Sequence, residues 1–288
     1  MVRTILITGA TGYLGLKFVQ SIIQEGYTIC VLKRDSSNIS NLKALSDNIK
    51  FYPSDDAGID SAFKENNVDL IIHFATLYGR KGENIFEIKE ANLDFPLRLL
   101  HAAVGNKVKY FLNTGTSLPY LTNHYSLFKS QFSEWLNYFS SQIVTINLLL
   151  EHFYGPDDDD SKFVTAMIGK MKKNVPDIEL TAGTQLRDFI FIDDVISAYR
   201  CVIGNISLFS GFTDVPLGSG ETVSIRNLVE IIKESSKSQT RLLFGSIPMR
   251  KTELLCSNAD ISILQNLGWT PKFSLNEGIK KTIDSYKL

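Results

Sequence analysis

A chain of 288 residues, 44% hydrophobic and 21% charged, is long enough to bury a large core and too apolar to be a disordered segment. Its net charge of −1 excludes the broad basic field that would draw it to nucleic acid or to anionic lipid. Cys30, Cys201 and Cys256 lie far apart with no Cys-x-x-Cys pair, so a reduced, cytoplasmic protein without a metal site is expected.

The chain enters a strand at once, at Ile5–Thr8, and three spaced glycines follow in Gly9-Ala10-Thr11-Gly12-Tyr13-Leu14-Gly15. A helix is expected over Leu14–Glu25, with Leu14, Phe18, Ile22 and Ile23 on one face and Gly26 closing it. Strands are expected at Thr28–Leu32, Ile49–Tyr52 and the fully apolar Asp69–Phe74, with a short helix at Ile59–Glu65. A long helix over Glu83–Val104, a strand at Val108–Leu112, a helix over Tyr125–Phe139 and a strand at Ile143–Leu149 complete the first half. This alternation predicts an α/β fold, a doubly wound parallel sheet of the Rossmann kind.

The second half is less regular. Helices are expected at Lys162–Lys173, Asp193–Val202 and Ser224–Glu234, a strand at Arg187–Ile192, and a turn at Leu267–Pro271 before a last helix. The expected division is a dinucleotide-binding domain over residues 1–155, to which segments around 187–217 return. A smaller mixed α/β substrate lobe would span 156–288. The acidic run Asp157–Asp160 reads as a solvated loop, because a metal site needs spaced ligands that converge. No apolar run approaches the length of a membrane span, and no signal segment is expected.

Two patterns carry chemistry. An apolar strand running into spaced glycines and a helix start lets backbone N–H groups approach a pyrophosphate, whose charge the helix dipole favours. Gly9, Thr11, Gly12, Tyr13, Leu14 and Gly15 are therefore candidate cofactor residues. The spacing is G-x-x-G-x-x-G, a variant of the more familiar G-x-G-x-x-G. After the second strand the chain reads Lys33-Arg34-Asp35-Ser36-Ser37. Two cations followed by serines suit a 2′-phosphate, so NADPH is expected and NAD is the alternative, with Asp35 placed late for a ribose hydroxyl. Asp55 is either an adenine contact or part of a solvated loop.

Downstream, Tyr125 and Lys129 lie four residues apart and share one helix face. An ammonium beside a phenol lowers the phenol's pKa, and such a pair can hand a proton to a ketone oxygen as hydride arrives. The hydroxyl that binds the same oxygen is assigned to Thr114, at the end of the preceding strand. Thr114 and Tyr125 are only eleven positions apart, so Thr116 or Ser117 can reach instead.

The blocks GATGYLG, IIHFAT (Ile71–Thr76), YSLFK (Tyr125–Lys129), EHFYGPDD (Glu151–Asp158), RDFIFIDDV (Arg187–Val195) and LGWTP (Leu267–Pro271), with Asn92 on the long helix, resemble the extended short-chain dehydrogenase/reductases. The likeness is to the nucleotide-sugar epimerase, dehydratase and reductase group, and it covers nearly the whole chain. It implies a catalytic set of Thr114, Tyr125 and Lys129. It adds Phe74, Ala75, Thr76 and Asn92 to the cofactor site, where Lys129 also holds the nicotinamide ribose. It further implies that Arg187 and Arg250 hold the sugar nucleotide's diphosphate, with Thr116 and His152 near the sugar. For Arg187 the plain alternative is an ion pair with Asp188 or Asp194, and for His152 a packed core position. His73 is expected to be structural.

Dehydratases of this group carry acids directly after the catalytic Thr; this chain has Gly115 and Thr116, which speaks against elimination. Within the group, IIHFATLYGRK, LLLEHFYGPDDDDSKF and TQLRDFIFIDDVISAY resemble the 4-ketoreductases of the CDP-abequose and CDP-paratose synthase type. Leu149 is a departure, since relatives often have Arg there. The implied reaction is NADPH-dependent reduction of the C4 ketone of a CDP- or dTDP-linked 6-deoxy or 3,6-dideoxy 4-ketohexose, for surface polysaccharide such as O-antigen. The alternatives are a C4-epimerase with tightly held NAD and a non-catalytic dinucleotide sensor. The resemblance also implies a homodimer built on the Glu83–Val104 and Tyr125–Phe139 helices, through Phe86, Leu93, Leu97, Leu100, Phe132, Trp135 and Leu136. The same residues would equally pack on the sheet.

Overall fold

The structure, a computed structural model, describes residues 2–250 and 253–286. The first half runs β1 (Thr4–Thr8), α1 (Tyr13–Ile22), β2 (Thr28–Lys33), α2 (Ser40–Lys43), β3 (Lys50–Pro53), α3 (Asp56–Glu65) and β4 (Leu70–His73). It continues with α4 (Ile85–Lys89), α5 (Phe95–Gly105), β5 (Tyr110–Thr114), α6 (His124–Tyr138) and β6 (Val144–Leu150). Then come β7 (His152–Tyr154), α7 (Phe163–Lys172), β8 (Asp177–Leu180), β9 (Leu186–Phe191), α8 (Ile192–Gly204), β10 (Phe212–Leu217) and β11 (Thr222–Ser224). The chain ends with α9 (Ile225–Ser236), β12 (Arg241–Phe244), β13 (Cys256–Ser257), α10 (Ser262–Asn266) and α11 (Leu275–Ser285).

The main sheet has seven strands in the order β3-β2-β1-β4-β5-β6-β10. Its first six strands pair in parallel, which is the doubly wound order the alternation predicts. Every residue of β4 is buried, as a strand covered on both faces must be. One core cluster joins Leu6, Ile71 and Phe111 of the sheet to Leu99 and Leu100 of α5 and Phe132 and Leu136 of α6.

Two compact units emerge: residues 1–149 with 203–215, and residues 150–202 with 216–288. The segment that rejoins the first unit is shorter than the expected 187–217. Residues 187–202 stay with the second unit because β9 pairs there with β7, β11 and β13. In that unit β8 and β12 form a separate parallel pair. The short strands β7, β8 and β11–β13 are absent from the sequence reading, being too short to show a period of two.

The expected helix over Glu83–Val104 is interrupted. Between α4 and α5 lies one π-helical turn, Glu90–Asp94, where the Phe95 N–H reaches back five residues to the Glu90 carbonyl. Pro96 explains it: lacking an N–H, it cannot bond the carbonyl of Asn92 four residues earlier, and the wider turn absorbs the misfit. The interruption turns Asn92 inward, fully buried. Likewise α1 stops at Ile22, and a tighter turn through Glu25 leads to Gly26 at φ 79°. Among the described residues no helix is long and apolar enough to cross a membrane.

Candidate active site

The first unit builds a dinucleotide cradle from β1 and α1. Gly9 has φ 70°, and a Cβ there would lie 2.5 Å from the Ala75 backbone nitrogen. A Cβ on Gly15 would strike the Gly9 carbonyl oxygen. Both positions therefore require glycine. A Cβ on Gly12 would lie 3.3 Å from the Gly9 carbonyl oxygen, a tight contact, although Gly12 itself is exposed. Gly12 caps α1 without a side-chain bond, and the first turn holds no acid, which leaves helix N–H groups and a positive dipole for an anion. Leu14 is buried and Thr11 and Tyr13 are half-buried around this turn. The cradle fits a dinucleotide.

At the end of β2, Lys33 is half-buried and Arg34 exposed, and Lys33 lies 3.8 Å from the fully solvated Asp35. Asp55 is the N-cap of α3, its Oδ1 accepting from the Gly58 N–H at 2.8 Å. His73, at the end of β4, is buried with Nδ1 2.7 Å from the Thr8 hydroxyl. Burial holds it well below the usual imidazole range, so it is a neutral structural group. Phe74 packs on Phe18 of α1 at 5.3 Å between ring centroids.

The helix bearing Tyr125 begins with a capping box. The Asn123 side chain accepts from the Ser126 N–H at 2.9 Å, and the Asn123 N–H donates to the Ser126 hydroxyl at 3.1 Å. This fixes Tyr125 in the first turn of α6 and Lys129 one turn later. Both are nearly fully buried.

The hydroxyls of Thr116 and Thr76 lie beside the Tyr125 phenol and draw it back towards its usual value. Thr114 stops in register opposite Leu148, and the Gly115 N–H continues the ladder to the Leu148 carbonyl. The chain leaves the sheet after that bond, and Thr116 lies beside the Tyr125 phenol.

The electrostatics also differ from the expectation. Burial pushes the Tyr125 phenol above its usual value, while Thr116, Thr76 and the Arg80 guanidinium pull it part of the way back. Lys129 is not among the groups that lower it. Burial alone brings Lys129 down from 10.5 to about 7, because an ammonium loses its hydration there and gains no carboxylate.

Asn92 does not simply line the cofactor site. Its Nδ2 donates to the Leu77 and Ile88 carbonyls at 2.8 Å each, and its Oδ1 accepts from the Thr76 hydroxyl at 2.7 Å. It thereby ties the chain after β4 to the π turn. That stretch carries two residues the sequence reading assigned no role. The ring of Tyr78 lies 5.0 Å from that of Tyr125, and the Arg80 guanidinium lies 4.9 Å from the centroid of Tyr78. Both belong to the quoted block IIHFATLYGRK, but no spacing rule says that this loop folds back over Tyr125.

In the second unit, Arg187 of β9 is buried and pairs with Glu253 at 2.7 Å, also donating to its own neighbour's carbonyl at Leu186. The expected ion-pair alternatives are spent elsewhere. Asp188 accepts from the Ser219, Gly220 and Ala259 N–H groups, and Asp194 from those of Lys272 and Phe273. Arg250 is exposed, and its carbonyl accepts from the Glu253 N–H at 3.1 Å. His152 is partly exposed beside Phe189, with Nδ1 3.4 Å from the buried Glu151, whose carboxylate accepts from the Ser257 hydroxyl. Among the described residues no cluster of three metal-ligating side chains occurs.

The profile of the NAD dependent epimerase/dehydratase family matches residues 5–211. The chain belongs to that family. It is a nicotinamide-dinucleotide-dependent enzyme of the oxidoreductase type, as its family, cradle and buried Tyr/Lys pair together require. It is 33% identical to a CDP-abequose synthase of Salmonella muenchen, over 98% of this chain and 97% of that protein. A second CDP-abequose synthase, from Salmonella typhimurium, is 30% identical over 97% of each. The UDP-glucose 4-epimerase of Thermotoga maritima shares the fold with a TM-score of 0.84 at 22% identity, over 98% of both chains. The UDP-glucuronic acid 4-epimerase of Bacillus cereus, solved with NAD, does so with a TM-score of 0.85 at 21% identity and the same coverage.

Proposed function

We propose that this family member reduces the C4 ketone of a CDP- or dTDP-linked 6-deoxy or 3,6-dideoxy 4-ketohexose with NADPH, for surface polysaccharide synthesis. That it modifies nucleotide sugars follows from its relatives over nearly full length. The observation that carries the reading is the likeness to two CDP-abequose synthases over nearly the whole chain, at 33% and 30% identity. The buried Tyr125 phenol beside Lys129 is the group placed to donate the proton.

When bound, the nicotinamide supplies a hydride to C4. Tyr125 gives its proton to the ketone oxygen, so the phenolic O–H bond breaks as the alcohol O–H bond forms. Thr116, beside the phenol, hydrogen-bonds the phenolate left behind. Lys129 holds the nicotinamide ribose, and Asn92 fixes Thr76. Lys33 and Arg34 at the end of β2 favour a 2′-phosphate. Arg187 and Arg250 take the sugar nucleotide's diphosphate, Arg187 exchanging Glu253 for phosphate oxygens. Residues 115 and 116, Gly and Thr, offer no base for elimination.

The test is NADPH oxidation with CDP- and dTDP-linked 4-keto-6-deoxy sugars and the CDP-linked 3,6-dideoxy ketone, with NADH in parallel. Rapid oxidation by one of them names nucleotide and cofactor together. NAD retained through purification without net NADPH consumption would point to a 4-epimerase, the activity of several proteins of the same fold. Tight NADPH binding with no turnover on any sugar would point to a sensor.

We further propose a homodimer through α4 and α6. Phe86, Trp135 and Tyr138 are exposed, and Trp135 packs on Tyr138 at 5.7 Å and on Phe139 at 6.3 Å. Of the other expected interface residues, Leu100, Phe132 and Leu136 are fully buried in the unit's own core, and Leu93 and Leu97 pack against it. A Trp135→Glu chain that sediments as a monomer beside a dimeric parent supports this arrangement; two identical sedimentation profiles would remove it.

A further inference from the structure

The chain between β4 and α4 is clamped onto Tyr125 at several points. Asn92 holds Leu77 by both backbone groups, accepting from its N–H at 3.4 Å and donating to its carbonyl at 2.8 Å. Gly79 has φ 72°, and a Cβ there would lie 2.7 Å from Ile88 Cδ1. Ile88 in turn packs in a small buried cluster with Tyr125 and Phe128. With both ends of the turn held, Tyr78 lies tilted by 47° against the Tyr125 ring, and Arg80 covers Tyr78. The result is a column of guanidinium, ring and ring that ends on the phenol.

Among the described residues, Arg80 is the charged group that draws the phenol's value down. From α4 comes Ile88, and Lys89 of the same helix is paired with Asp94 at 2.7 Å. From the segment after β5 come the Thr116 hydroxyl and Leu118. Lys129 lies one turn along α6 and exerts no resolved influence on it. The remaining cation is Arg80.

Resting on the reading of Tyr125 as the proton donor, we propose that Arg80 and Tyr78 are positioning residues for the reduction. Tyr78 is the platform that holds the Arg80 guanidinium near Tyr125, and the guanidinium stabilises the phenolate left when the proton has gone to the sugar. Burial opposes formation of that anion, and Arg80 is the fixed positive charge that offsets part of the cost. Because Arg80 is exposed, its effect is open to screening by salt. Tyr78 contributes its ring rather than its hydroxyl, since guanidinium and phenol both engage the ring faces.

The experiment follows Tyr125 itself. Its 13Cζ resonance, identified by its loss in Tyr125→Phe, is titrated from about pH 6 to about pH 11, with and without NADP. This readout needs no turnover, so it stands even if every 4-keto sugar fails and the proposed reaction falls. In Arg80→Gln the titration should move up by a few tenths to about one pH unit at low salt. The parent should approach the variant as salt rises from about 0.02 M to about 0.5 M. Arg80→Lys should restore much of the shift. Tyr78→Phe should behave as the parent and Tyr78→Ala as Arg80→Gln. The Tyr78→Ala/Arg80→Gln double variant should add nothing further, the signature of one acting through the other. Where a substrate is found, the alkaline limb of kcat/KM should move in parallel.

Arg80→Gln titrating with the parent at low salt would overturn the proposal. So would additive effects in the double variant, or an equal shift in Tyr78→Phe. Arg80 is on the surface, so its variants test the idea even if Tyr78→Ala fails to fold.

Discussion

Lys129 in the first unit and Arg187 in the second are both deeply buried cations, 3% and 7% exposed, and the chain treats them in opposite ways. Arg187 has a carboxylate, Glu253, at 2.7 Å. Lys129 has none, and burial brings it down to about 7. The difference follows from the groups themselves. A guanidinium cannot shed its proton at any ordinary pH, so a buried Arg needs a counter-charge, whereas a buried Lys can relieve its desolvation by becoming neutral. The first unit thus keeps one cation, Lys129, that burial brings close to neutral pH. The second keeps a permanent charge held by a carboxylate.

The largest expected effect is at the phenol. Tyr125→Phe should lose about a hundredfold or more in turnover while NADPH affinity, measured by fluorescence titration, stays as it was. A variant that still turns over like the parent would falsify the assignment of the first unit as the acid-bearing one.

Next comes Lys129→Met. The value of Lys129 in the folded chain, about 7, lies below its usual 10.5, so between these the unfolded chain binds more protons. Stability should therefore rise with pH across that window. The cost of burying the ammonium is fully present below about pH 7 and is recovered as pH climbs towards 10.5. Methionine should raise stability by a few kcal/mol near pH 6, and by less near pH 9, while activity is lost. Urea unfolding at both pH values checks it; the same gain at both would mean that Lys129 is not titrating as described.

In the second unit, Arg187→Met should weaken sugar-nucleotide binding about tenfold and leave NADPH binding untouched. Calorimetry with each ligand separates the two, and equal loss for both would blur the division of labour drawn here. A smaller effect is expected at the end of β2. Arg34→Ser should raise the KM for NADPH several-fold, by about 1 kcal/mol, with no change for NADH, since only the 2′-phosphate is lost to it. A parallel change for both cofactors would count against the 2′-phosphate contact.

The comparison also separates what a sequence displays from what it hides. The glycines at 9, 12 and 15 were legible because a backbone that must approach another backbone excludes a Cβ, and that exclusion is written as residue type. The parallel sheet was legible because buried strands such as Leu70–His73 carry unbroken apolar runs, here Leu70, Ile71 and Ile72. The nearness of Thr116 to the Tyr125 phenol was not, because Thr114 and Thr116 lie in the same segment and no spacing rule says which hydroxyl comes beside it. The π turn had a signal in Pro96, an imino acid inside a helical pattern, though its consequence for Asn92 emerges only from the packing.

What the sequence determined by itself, then, is the order of elements, the cradle, and the Tyr125–Lys129 face, all set by local spacing along one strand or one helix. Tertiary structure alone decided that Thr116 lies beside the phenol, that Lys129 is buried without a counter-charge, that Arg187 takes Glu253 sixty-six residues away, and that Tyr78 packs on Tyr125 with Arg80 over it. These depend on burial and on contacts between segments distant in the chain. Neither has a period, and a pKa is set by the surroundings of a group rather than by its neighbours in sequence.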